Sequence, residues 1–153
     1  MGECVRQRTR LTVAALLAVL IAVVGCSPPS PEPTYATVTI GPLTYRVEVA
    51  QTVEQQREGL GNRESVPAGT GMLFQFGSRG EQQVWMAGMT IKLDIAWIID
   101  SEVLAVDTVT PCLELDQNAC PRWTSPAPVD ALLEVPAHSL TGVDPGVRVS
   151  IEH

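Results

Sequence analysis

The sequence predicts a mainly-β domain, a compact β-sandwich or partly closed barrel of about seven or eight short strands with one short helix. Three observations predict it. Apolar and polar residues alternate over short segments, as in Leu43, Tyr45, Val47 and Val49 against Thr44, Arg46 and Glu48, the period of a half-buried strand. Turn residues recur between such segments, at Gly41-Pro42, Asp100-Ser101-Glu102 and Asp144-Pro145-Gly146. Only one segment carries helix signals.

Taken in order, residues 36–40 and 43–49 read as the first two strands. Thr52 and Gln55 form a capping-box pattern, so Val53 to Leu60 is the predicted helix, closed by Gly59 and Gly61. Residues 63–71 read as a loop. Met72 to Phe76 alternates again, and Gln82 to Met86 is expected to pair with it across a turn at Gly77 to Gly80. Leu93 to Ile99 and Val103 to Thr110 read as a hairpin. Pro111 to Pro128 is a proline- and cysteine-rich loop, long enough to need a staple. Ala131 to Val135 and Val147 to Ile151 complete the sheet. No repeat or second domain is visible.

The first residues set the expected location. Arg6, Arg8 and Arg10 precede an apolar run from Leu11 to Val24 that ends at Val23-Val24-Gly25-Cys26. About 14 apolar residues are too few for a span that needs about 20, so residues 1–25 read as a signal peptide. The small residue before a cysteine resembles the lipobox of bacterial lipoproteins, which implies lipidation of Cys26 as the mature N-terminus. Residues 26–34 are then a proline-rich tether and 35–153 a single domain. The expected location is the cell envelope, lipid-anchored to the outer face of a bacterial membrane.

The leader holds three of the ten basic and one of the seventeen acidic residues. The remaining chain therefore has seven against sixteen, a formal charge of −9. That balance argues against nucleic acid as a partner and against electrostatic adhesion to anionic lipid. With Cys4 in the leader and Cys26 lipidated, Cys112 and Cys120 are left, and an oxidising compartment favours one disulfide between them. A metal or redox role fits less well, because the spacing is not C-x-x-C and no histidine lies near.

Several blocks carry a family resemblance: Gly59-Leu60-x-x-Arg63-Glu64, Gly71-Met72-Leu73-Phe74-x-Phe76, and Trp85-Met86-x-Gly88-Met89-x-Ile91-x-Leu93-Asp94-Ile95. Pro111-Cys112, Cys120-Pro121 and Leu133-Glu134-Val135-Pro136-Ala137 continue it. Together they resemble the signature of the DUF192 family, also called UPF0127, over roughly Thr44 to Ile151. The resemblance implies a small exported or lipid-anchored protein with a compact mainly-β fold and no settled biochemical activity. The chain departs from the family pattern at Gly61-Asn62, at Lys92 in place of a common proline, and at His138 in place of the usual glycine.

Candidate ligand-binding residues are the polar groups set in apolar blocks. Asp94 lies opposite Leu93, Ile95 and Trp97, while Arg63 and Glu64 open the loop after the helix. An Arg63–Asp94 pair would bind a small polar ligand through its guanidinium fork, or serve as a structural ion pair. The expected site is a concave surface joining Arg63, Glu64 and Asp94 to Trp85, Met86 and Met89. Met72, Met86 and Met89 offer thioethers that would suit Cu(I), although core filling explains them more simply. Only His138 and His153 are present, and no nucleophile-elbow, P-loop or dinucleotide motif occurs. The resulting expectation is a non-enzymatic domain without metal or cofactor that binds a small ligand or an envelope protein. A carboxylate-based hydrolase of envelope polymers, using Glu64 and Asp94, is the alternative.

Overall fold

The alternating segments become strands along nearly half of residues 32–153, which are the residues the structure, a computed structural model, describes. The expected signal peptide at 1–25, Cys26 and the expected tether up to residue 31 lie outside them. Glu32–His153 pack as one unit.

Strands β1 (Tyr35–Ile40) and β2 (Leu43–Ala50) form a hairpin in the register Ile40 to Leu43. Helix α1 (Val53–Glu58) follows with the expected capping box: the Gln55 amide donates to the Thr52 hydroxyl, and the Thr52 amide donates to the Gln55 side chain. It stops at Glu58, before the predicted end, because Gly59 adopts a φ of 53° that breaks the helical path. The crossover through α1 delivers β3 (Thr70–Gly80) parallel to β2.

The remaining strands are β4 (Gln83–Trp85), β5 (Leu93–Ile99), β6 (Glu102–Val109), β7 (Arg122–Thr124), β8 (Val129–Pro136) and β9 (Val149–Glu152). Seven of the nine form one sheet in the order β6-β5-β8-β3-β2-β1-β9. The sheet curls until its two edges approach. The Val103 amide donates to the Val147 carbonyl and the Val149 amide to the Ser101 carbonyl, each at 2.9 Å. Of the two expected architectures, the partly closed barrel is the one formed.

Strand β4 does not pair with β3, as the sequence suggested; it pairs with β7 in a separate two-stranded ribbon. Both edges of β3 are occupied, by β2 on one side and β8 on the other. Strand β3 also runs on through the expected turn, reaching Val129 of β8 at Gly80. Strand β7 itself emerges from the predicted long loop, which the Cys112–Cys120 disulfide closes with its Cα atoms 5.7 Å apart.

Both faces of the curled sheet are covered. Val38, Ile40, Val47, Leu73, Ala96 and Leu133 pack inside the barrel. Met72, Phe74, Ile95, Trp97 and Leu132 point outward into a second core with Leu60, Val84, Met86 and Met89. Double coverage explains why β5 reads as an almost unbroken apolar run. Gly71 permits close strand approach here, since a Cβ on it would stand 2.1 Å from the Glu134 carbonyl oxygen.

Candidate functional site

A cleft of about 770 Å³ opens on the outer face of the sheet, within the usual size of small-molecule sites. Its floor is Phe74 and Phe76 of β3 with Leu132 and Glu134 of β8. One wall is the end of α1 and the turn after it, from Gln56 to Asn62. The other is β4 and its continuation, from Gln82 to Met89. Gln117 and Arg122 reach it from the disulfide loop and β7. The loop is pinned to that wall by the Cys112 amide donating to the Met86 carbonyl at 3.3 Å. The Arg122 guanidinium stacks on the Trp85 ring, 4.4 Å from its centroid.

Glu134 is the unusual group in this cleft. The alternation of β8 turns it outward between Met72 of β3 and Ile95 of β5, into an apolar layer where it is only 6% exposed. Among the described residues its carboxyl has neither a hydrogen-bond partner nor an ion pair. Every fully buried side-chain nitrogen or oxygen there has a partner, so the Glu134 oxygens must open onto the cleft. Burial pushes its pKa up to about 7, because desolvation disfavours the charged form. Gly59 faces it from the opposite wall, where a Cβ would lie 3.7 Å from Oε2.

The predicted site residues divide. Trp85, Met86 and Met89 line the cleft, and Met72, Met86 and Met89 all belong to the outer core. Arg63 does not meet Asp94. It makes two hydrogen bonds of 2.7 Å to the Glu48 carboxylate, which hold Glu48 below the usual carboxylate range and Arg63 above its ordinary value. Asp94 has no polar side of the sheet to occupy, because both faces of β5 are covered. It points into the barrel at 2% exposure, where it accepts hydrogen bonds from the Thr108 hydroxyl at 2.7 Å and the Leu140 amide at 2.9 Å. Glu64 is exposed, and neither it nor Arg63 lines the cleft. The Glu64–Asp94 carboxylate pair is therefore not assembled there.

Sequence reasoning passed over Glu134, Phe74, Gln117 and Arg122. The signal for Glu134 was present, a lone acidic residue within Ala131-Leu132-Leu133-Glu134-Val135, the same pattern that drew attention to Asp94. His138 stands at a φ of 69°, a conformation in which glycine is unstrained. Among the described residues no three His, Cys, Asp or Glu side chains are grouped to hold a metal ion. No helix there is long and apolar enough to cross a membrane.

The DUF192 family model, described as an uncharacterized ACR, matches residues 36–151. The chain belongs to the DUF192 family. That match takes in every strand from β2 to β8 and the whole cleft. Among solved structures, a Sinorhizobium meliloti 1021 protein described as a proposed transcription regulator is similar at 25% identity with a TM-score of 0.70. The alignment covers 80% of this chain and 97% of that one. A protein of unknown function from Novosphingobium aromaticivorans DSM 12444 is similar at 26% identity with a TM-score of 0.66, covering 77% and 84% respectively. No curated protein matches the chain.

Proposed function

We propose that this DUF192 protein is a lipid-anchored, extracytoplasmic and non-enzymatic domain that binds a small ligand in the cleft over the outer face of its sheet. The observation that carries the reading is Glu134, a buried carboxyl with no partner among the described residues, on the floor of a cleft whose mixed lining includes Phe74, Phe76, Trp85, Met86 and Met89. An unpartnered buried polar group costs about 1–3 kcal/mol, which a ligand donor removes on binding. The leader and Cys26 supply the anchor in this reading, and the proline-rich tether holds the cleft off the membrane. The regulator description of the Sinorhizobium protein is not extended to this chain, whose net charge of −7 is unsuited to a polyanion.

Two experiments test the proposal. Native mass spectrometry of protein recovered from the envelope should find a bound small molecule that is absent from Ala87→Trp, in which an indole fills the cleft. The same empty spectrum for both proteins counts against a ligand. Fatty-acid labelling should mark the wild-type chain and not Cys26→Ala; equal labelling of the two would remove the anchor.

One observation favours a hydrolase as the second reading. Glu58 lines the same cleft as Glu134, and a carboxyl with a pKa of about 7 suits a general acid. Release of soluble fragments from purified envelope polymers, lost in Glu134→Gln, would support that reading over simple binding.

A further inference from the structure

The geometry points to an amine-bearing small molecule as the ligand, its ammonium group seated on the Glu134 carboxylate and its apolar body against Phe74, Phe76 and Met86. This assignment rests on the cleft being a ligand site and adds the chemistry of what enters it.

The two buried carboxylates among the described residues make the case by contrast. Asp94 has its donors built in, from Thr108 and Leu140. Glu134 lies on the neighbouring strand, buried but open to the cleft, and has none among the described residues. A ligand would supply the missing donor, and an ammonium group brings up to three N–H donors with a compensating charge. The surrounding surface suits the same group. Phe74 and Phe76 line the same cleft, and aromatic rings attract cations once desolvated. The neighbouring thioethers of Met86 and Met89 adapt to apolar bodies of varied shape. Trp85 already demonstrates the preference, since the protein's own Arg122 guanidinium occupies its ring.

The charged groups facing Glu134 can be named element by element. The end of α1 brings Arg57 and Glu58 to the cleft, of opposite sign, and β7 brings Arg122, held on Trp85. The cleft residues of β3, β4 and β5 bring no charge. Beyond Met72, Glu48 is neutralised by Arg63. Among the described residues no cation is paired with Glu134, and an ammonium displaces none of them.

Phenethylamine, phenethyl alcohol and phenylacetate are matched probes, nearly equal in shape and differing in charge. Titrated into the full-length protein and followed by calorimetry, the amine should bind about tenfold or more tightly than the alcohol, and the acid least. Glu134→Gln keeps the side-chain shape and should erase the amine's advantage without lowering the melting temperature. Amine affinity should also rise several-fold between pH 6 and pH 8, as a carboxyl with a pKa of about 7 ionises while the amine stays charged. Equal binding of all three probes, lost in Ala87→Trp, would overturn the amine assignment and leave the cleft as a ligand site. Amine binding unchanged by Glu134→Gln would also overturn it. Saturation by none of the three would overturn both readings together.

Discussion

Glu134 and Asp94 are carboxyl groups on adjacent strands, both enclosed, and the difference between them decides how each substitution behaves. Asp94→Ala would strand the buried Leu140 amide and the Thr108 hydroxyl, and should cost about 2–3 kcal/mol in urea unfolding. Arg63→Ala removes a partly exposed pair with Glu48 and should cost about 1 kcal/mol or less. Glu134 acts in the opposite direction. Its carboxyl ionises near pH 4.5 in the unfolded chain and near pH 7 in the folded one. Its contribution to stability is thus fully present below about pH 4.5 and is lost as pH rises to about 7. Glu134→Gln should leave the melting temperature unchanged at pH 4.5 and raise it at pH 8, by up to about 3 kcal/mol of stability. Thermal melts at the two pH values check this directly. The sequence displayed both acids in apolar runs, yet it could not distinguish them. Alternation assigns each residue a face, but which donors wait on that face depends on β6 and the turn before Leu140, distant in the chain.

The elements that shape the cleft carry their own expectations. The disulfide closes the loop that delivers Gln117 and Arg122. Cys112→Ser with Cys120→Ser should lower stability by about 2–3 kcal/mol and make the segment between β6 and β7 the first site of proteolysis, read by limited digestion with a glutamate-specific protease at the exposed Glu114. Gly71 packs against the backbone of β8 at Glu134. Gly71→Ala should cost about 1–3 kcal/mol, because the added methyl meets backbone that cannot rotate away. At this scale the sequence was informative wherever local chemistry decides the outcome. The Thr52–Gln55 cap, the β5–β6 hairpin and the β1–β2 hairpin all formed where the spacing placed them. The misplaced element was β4. Its partner β7 lies about forty residues away inside a loop, and no local pattern reports which edges of β3 are already taken.

At the scale of the whole molecule, the mainly-β class and single short helix were legible because two-residue alternation and turn signals are written locally. The closure of the barrel was not, since it depends on β9 returning beside β1 from the far end of the chain. That return has a mechanical consequence. Strand β1 is held between β2 and β9, antiparallel to both, with hydrogen bonds running across its length. Thr37 pairs with Glu152 and Ile40 with Val149, so the N-terminal end of β1 and the C-terminal end of β9 leave from the same end of the sheet. A pull between the two chain ends would peel β1 from β9 one bond at a time. A pull between the N-terminus and the turn at Asp144 would drag the two strands lengthwise past each other, and all their bonds would have to yield together. Force spectroscopy should record a clearly higher rupture force in the second geometry. A chain tugged from its N-terminus while the turn at Asp144 is held is stretched in the second manner, and its β1–β9 pairing resists most in that direction.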